Sequence, residues 1–279
     1  MGNPRQKFLE KKIGELQKKL KRKGSAIVAF SGGVDSSVVA ALAYKALKDK
    51  TLAVTVDSPL LPSGELEDAR RIAARIGINH VVIRSNELEI PGFKNNPPNR
   101  CYLCKRFRFG KLRKMAEELG FQTVIDGTNL SDLGDYRPGL RAMKEEGVYS
   151  PLLEAGLAKE ASRSIAKLLH LPTADKPASA CLASRIPYHS ELTLSRLKRI
   201  ALAENYIKKA FNVKVVRVRD HDDLARIEIG RHERKKFFNE KLLDKVTQKL
   251  QKLGYSYVTL DLMGYRFGSF DEPLKSKAM

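Results

Sequence analysis

The stretch that most constrains this chain is Ile27 to Ser37, IVAFSGGVDSS. An apolar run of strand type breaks into two glycines, an aspartate and three serines. It then enters an Ala- and Val-rich segment, Val34 to Leu47, that reads as a well-buried helix. A buried strand that feeds a buried helix through a short polar turn opens an α/β unit. The following segments repeat the pattern. SAIVAF (25–30), TLAVTVD (51–57), HVVIRS (80–85) and FQTVIDG (121–127) read as strands. SGELEDARRIAARIG (63–77) reads as a helix with Ser63 as its cap, acids in its first turn and Gly77 at its end. A Pro-rich loop, PGFKNNPPNR, precedes another helix through Cys104 to Leu119. Phe8, Leu9, Ile13, Leu16 and Leu20 recur at helical spacing over 6–23, which predicts an amphipathic surface helix. Strands alternating with helices predict an α/β fold with a doubly wound parallel sheet.

The pattern changes around LHLPTADKPASACLASRIPY (169–188), which holds three prolines and little periodicity. The boundary falls here, giving domains 1–172 and 173–279. Beyond it a helix (193–211), strands (213–219 and 224–229), a helix (231–252) and a strand (255–262) make a smaller α+β unit. No internal repeat is evident.

The N-terminal segment lacks an apolar signal core, and the longest apolar runs fall far short of a membrane span, so a cytoplasmic protein is expected. The 279 residues carry 52 Lys and Arg against 32 Asp and Glu, a net charge of +20. That charge attracts polyanions. The basic residues are spread along the chain rather than gathered in a tail, so nucleic acid is not the expected partner. The three cysteines, Cys101, Cys104 and Cys181, are too few and odd in number for a disulfide framework. On the residues alone they leave a metal site, a redox pair or unremarkable thiols. None of the five histidines has ligand spacing to another.

In an open α/β sheet, ligands bind beyond the carboxyl ends of the strands, and the turn 31–37 stands at such an end. Gly32 and Gly33 remove side chains and bring the backbone within reach of an anion. Free N–H groups and the positive end of a helix favour a phosphate there, and Ser31, Ser36 and Ser37 add hydroxyl donors. No Lys–Ser/Thr pair follows the glycines, so this is not a Walker loop, and GxGxxG is absent. A plain Gly-rich strand–helix turn is the competing reading of a bare GG.

The string SGGVDSS matches the SGGxDS signature of the PP-loop ATP pyrophosphatases. Four further strings narrow the resemblance: DGTNLSDLGDYRPGLRA (126–142), KPASACLASRIPY (176–188), VRVRDHDDLARIEI (216–229) and YVTLDLMGYRFG (257–268). Together they resemble the LarE family, ATP-dependent sacrificial sulfur transferases of nickel-pincer nucleotide synthesis, over about residues 10 to 270. The resemblance implies an adenine nucleotide alpha hydrolase-like fold. It implies ATP and Mg2+ as cofactors, with Ser31, Gly32, Gly33, Asp35, Ser36 and Ser37 on the phosphates, Val56 and Ser58 near the adenine, and Gly127 closing the other side. The implied substrate is pyridinium-3,5-biscarboxylate mononucleotide, whose carboxylate is adenylated and then converted to a thiocarboxylate. Arg217 and Arg219, helped by Ser184 and Arg185, would hold its phosphate, with Glu204, Glu228 and Arg266 close by. From pattern alone, the alternation of Arg217 and Arg219 with Val216 and Val218 would instead favour a solvated sheet face.

Family members carry either one sacrificial cysteine or three cysteines. This chain has the three-cysteine form, which the resemblance reads as a [4Fe–4S] cluster on Cys101, Cys104 and Cys181. A sacrificial Cys181 stands second, and zinc on the three cysteines and His189 third. Asp35 and Cys181 are the expected catalytic residues. The C-terminal domain would bind substrate and form a homo-oligomer. A tRNA thiolase of the same superfamily is the alternative.

Overall fold

The computed structural model describes residues 4–133 and 138–266. The chain divides into two compact units. The first comprises Met1–Ser58, Gly64–Asn86 and Asn99–Ala178, and the second Pro59–Ser63, Glu87–Pro98 and Ser179–Met279. The units therefore interleave along the chain, where the sequence suggests a single cut.

The first unit is built on four parallel strands, β1 (Ala26–Ala29), β2 (Thr51–Asp57), β3 (Asn79–Arg84) and β4 (Thr123–Ile125), in the order β3-β2-β1-β4. Its helices are α1 (Pro4–Arg22), α2 (Val34–Leu47), α3 (Glu65–Ile76), α4 (Arg100–Leu119), α5 (Pro138–Glu145), α6 (Pro151–Glu154) and α7 (Lys159–Leu168). They cover both faces, as a doubly wound sheet requires. Alternate side chains of β1 serve the two layers. Ala26 and Val28 join one core with residues of α1, α2, α3 and α7, whereas Ile27 joins another with Phe109, Leu112 and Met143 of α4 and α5. The strand order runs outward from β1 through β2 to β3, then returns to place β4 on the other side of β1. That reversal opens a crevice at the carboxyl ends of β1 and β4.

The second unit holds α8 (Leu194–Phe211), β5 (Val216–His221), β6 (Leu224–Ile229), α9 (Glu240–Lys252) and β7 (Tyr257–Leu260). β5 pairs antiparallel with β6, and β6 parallel with β7. Residues of α8, α9 and the sheet share one apolar core, which includes the stacked rings of Phe211 and Phe237 at 3.9 Å. The Pro-rich segment is fastened to this unit. Asn96 donates its side-chain amide to the carbonyls of Ile186 (3.1 Å) and Pro187 (2.7 Å).

Several expectations from sequence are corrected. Phe8 is exposed, because the buried stripe of α1 runs through Leu9, Leu16 and Leu20 instead. Ser63 does not cap α3. Gly64 occupies that position without a side-chain bond, and Ser63 donates to the Ala201 carbonyl at 3.4 Å. The helix expected over 231–252 is two elements, a 3-10 segment (Arg231–Phe237) and α9, because the Asn239 side chain accepts the Leu242 N–H and starts a new helix. The strand expected at 213 begins at Val216, since Glu233 accepts the N–H groups of Lys214 (2.9 Å) and Val215 (3.1 Å). Between β4 and residue 169, α5, α6 and α7 form in a stretch to which the sequence reading assigns no element. No helix of the described residues is long and apolar enough to cross a membrane.

Candidate active site

The parallel sheet brings together every residue expected at the nucleotide. Ser31, Gly32 and Gly33 lead from β1 into α2, where Asp35, Ser36 and Ser37 form the first turn. Val56 and Ser58 lie at the end of β2 beside them, and Gly127 at the end of β4 on the other side. Gly32 has a left-handed backbone (φ +67°), and a Cβ there would stand 2.9 Å from Ala69 Cα. A Cβ on Gly127 would stand 2.6 Å from the Ser36 N, so only glycine lets β4 close against the start of α2. Hydroxyls tie the turn into one shape. Ser37 Oγ donates to the Gly33 carbonyl (2.7 Å), Ser36 Oγ donates there too (3.2 Å), and Ser31 Oγ meets Ser36 Oγ at 3.0 Å. Thr55 donates to the Phe30 carbonyl (2.7 Å) and meets His80 Nε2 (2.8 Å), which fixes the strand end from below.

Charged residues at this site that the sequence reading missed come from distant segments. Lys159 Nζ lies 3.1 Å from Asp35 Oδ2, while Asp35 Oδ1 is buried without a hydrogen-bond partner. Lys176 Nζ donates to Glu65 Oε2 (2.9 Å) and the Gly32 carbonyl (3.3 Å), and lies 2.9 Å from Asp68 Oδ2. Arg108 of α4 donates to Ser58 Oγ (2.9 Å). Lys159 and Lys176 stand 124 and 144 residues from their partners in the turn, so no local pattern could have found them. Asp126, next to Gly127, accepts hydroxyls from Thr128 and Ser150, both at 2.6 Å. Its burial still raises its carboxyl pKa above the ordinary value, against the effect of those bonds and of Lys105.

The second expected set is also brought together, within the second unit. Arg185 is fully buried and holds Glu204 in a two-point pair, Nε to Oε1 at 2.8 Å and NH2 to Oε2 at 3.2 Å. Glu204 Oε1 also accepts the Val218 N–H (3.0 Å). Arg219 donates to the Ser184 carbonyl and to Glu228 Oε2, each at 2.7 Å. Arg217 faces Glu228 across the β5–β6 register, donates to the Val216 carbonyl (2.7 Å) and lies 5.1 Å from the Tyr265 ring. Tyr265 bonds to Ile229 at the end of β6, which sets Arg266 at the same end of the sheet. Arg217 and Arg219 are both buried, which corrects the solvated-face reading, because the 182–185 turn and α8 close over that side of β5. Burial first, and then the charge of Arg185, lowers the pKa of Arg217. A cation in that state is relieved by an incoming anion.

This arginine group also holds the backbone at Cys181. The Cys181 carbonyl accepts Ser184 Oγ (2.7 Å) and Arg185 NH1 (3.2 Å), and Arg185 NH1 reaches the Ala180 carbonyl at 3.0 Å. Cys181 thus begins a fixed 3-10 turn, Leu182–Arg185. Cys101 and Cys104 lie in the first turns of α4 in the other unit, and none of the three cysteines is in a disulfide. Among the described residues no three of Cys, His, Asp and Glu gather into a group able to hold a metal ion. Residues 134–137 and 267–268 of the sequence strings quoted above lie outside the described residues.

A four-stranded parallel sheet whose β1–α2 turn reads SGGVDSS defines a PP-loop protein. A family model described as NAD synthase matches residues 4–91. An uncharacterized protein of Synechocystis sp. is 43% identical over 267 residues, 96% of this chain and 99% of its own length. The pyridinium-3,5-bisthiocarboxylic acid mononucleotide synthase of Lactiplantibacillus plantarum is 38% identical over 250 residues, 88% of this chain and 89% of its own. An uncharacterized protein of Methanocaldococcus jannaschii is 34% identical over 266 residues, 93% of this chain and 98% of its own. This chain belongs to the LarE family, the sulfur-transferring enzymes of the PP-loop class.

Proposed function

We propose that this enzyme adenylates a carboxylate of pyridinium-3,5-biscarboxylate mononucleotide with ATP and converts it to a thiocarboxylate, a step of nickel-pincer nucleotide synthesis. The observation that carries this reading is the buried arginine group 185, 217 and 219, which is bonded to the Cys181 turn and suited to a substrate phosphate. A carboxylate is a poor electrophile because its leaving group is oxide. ATP turns it into an acyl adenylate and releases pyrophosphate, and a sulfur nucleophile then displaces AMP. The turn 31–37 would hold the phosphates through backbone N–H groups and the positive end of α2. The buried, unpartnered Oδ1 of Asp35 fits a Mg2+ ligand beside them.

Residues 1–172 would form the ATP-binding domain. Residues 173–279 would bind substrate and associate into a homo-oligomer. We further propose Cys101, Cys104 and Cys181 as the ligands of a [4Fe–4S] cluster. Three thiolates on such a cluster leave one iron open to an added sulfide. Cys101 and Cys104 stand three residues apart at the start of α4, a spacing that puts both sulfurs on one side of the helix.

The test is pyrophosphate release from ATP, with and without the pyridinium mononucleotide. Release should require the mononucleotide and vanish in Asp35→Ala with the melting temperature unchanged. Stimulation by tRNA instead would move the enzyme to the tRNA thiolases. Anaerobic protein should contain about four irons per chain, and each single Cys→Ala change should remove iron and activity together. Iron-free protein that acts once and emerges lighter by hydrogen sulfide would assign the sulfur to Cys181 itself.

A further inference from the structure

Three carboxylates stand at the turn 31–37, and each is matched by a basic side chain. Asp35 stands in it, and Glu65 and Asp68 of the first turn of α3 stand beside it. One half-buried ammonium bridges the last two to the turn. Lys176 Nζ reaches Glu65 and Asp68 at 2.9 Å each and the Gly32 carbonyl at 3.3 Å. The backbone of Lys176 is anchored independently of its side chain. Its carbonyl accepts Arg163 NH2 (3.0 Å), and its N–H bonds to Thr173 (3.0 Å). What remains movable is a four-carbon arm ending in a compact charge. A lysine that served only to tie α3 to this segment would have no reason to contact the carbonyl of the phosphate turn itself.

We propose that Lys176 is a nucleotide-phosphate residue, and that Glu65 and Asp68 hold it at the turn while the site is empty and compete with ATP for it. The inference rests on the reading of the turn as the nucleotide site and adds what sets its affinity. Binding of the β- and γ-phosphates transfers the ammonium from the two carboxylates to phosphate oxygens, with no bond made or broken. The carboxylates therefore weaken ATP binding, and the lysine strengthens it.

The experiment measures ATP and AMP dissociation constants by calorimetry at saturating Mg2+, without the second substrate. The proteins are the wild type, Lys176→Met, Lys176→Arg, the double variant Glu65→Gln/Asp68→Asn, and Asp35→Ala as comparator. Loss of a charge-assisted bond in Lys176→Met should weaken ATP about tenfold or more. Lys176→Arg keeps the charge and should stay within roughly threefold of wild type. Removing the competing carboxylates should tighten ATP by about three- to fivefold, the scale of a partly exposed ion pair. AMP, which lacks the outer phosphates, should change little in the lysine and carboxylate variants. The opposite signs of the lysine and carboxylate changes are the signature. If both weaken ATP, the carboxylates are metal ligands or the cluster is structural, and the inference is wrong. If neither changes ATP affinity while Asp35→Ala abolishes it, the inference fails and the nucleotide site stands. Normal ATP binding by Asp35→Ala would overturn the nucleotide-site reading and this inference with it.

Discussion

The turn 31–37 and the arginine group of the second unit, the two anion sites proposed above, are built by opposite means. The turn uses backbone. Its shape depends on a left-handed Gly32, on Gly127 pressed against Ser36, and on hydroxyls that bond carbonyls a few residues away. The arginine group uses side chains buried to less than a tenth of their free exposure, held by carboxylates on α8 and β6. Backbone N–H groups carry no net charge, so a turn can stand empty at little cost. Buried guanidinium groups need counter-charges at all times, and their removal should injure the fold as well as the function.

The sharpest break in that comparison is Glu204→Ala. It leaves Arg185 buried without its carboxylate and the Val218 N–H without its acceptor. Removing one partner of a buried ion pair costs about 3–5 kcal/mol, so chemical denaturation should show a loss of that size. Asp35→Ala, at the turn, should leave the denaturation midpoint where it is. Equal losses would erase the distinction between the two sites.

A smaller effect separates binding from folding inside the arginine group. Under the proposed function, Arg217→Ala and Arg219→Ala would each remove charge-assisted bonds worth about 1.5–3 kcal/mol to the substrate phosphate. The KM for the mononucleotide should therefore rise roughly ten- to a hundredfold while the KM for ATP holds. Steady-state kinetics in both substrates decides this, and parallel increases would make the arginines structural.

The smallest effect is a difference of sign with pH. Asp126, beside the turn, has a raised pKa, chiefly from burial. The unfolded chain ionises first, so the fold loses stability as pH rises above about 4, the ordinary aspartate value. Asp220 in the second unit is also buried, but bonds from Arg199 and Arg196 outweigh that and lower its pKa. Its contribution is present above about pH 4 and is lost as pH falls through the lower folded value. Melting curves against pH should show Asp126→Asn gaining on wild type as pH rises above that point. Asp220→Asn should close its deficit as pH falls below it. Curves parallel to wild type would show that neither carboxyl titrates as its surroundings require.

The sequence alone carries the α/β class, the succession of strands along the chain through β4, and the SGGVDSS turn with its glycines and hydroxyls. Each of these is a local property, fixed by apolar periodicity or by residues within a turn or two of one another. It also supplied, through resemblance, the names of the arginine-group residues, though the pattern of alternation argued for a solvent face. The tertiary structure settles that Arg217 and Arg219 are buried. It alone paired Arg185 with Glu204 and brought Lys159 and Lys176 to the turn 31–37. The same holds for the segments 59–63 and 87–98, which join the second unit although they sit between strands and helices of the first. Ion pairs and core partners are chosen by distance in space. A chain that folds back over more than a hundred residues leaves no periodic trace of where such distances become short.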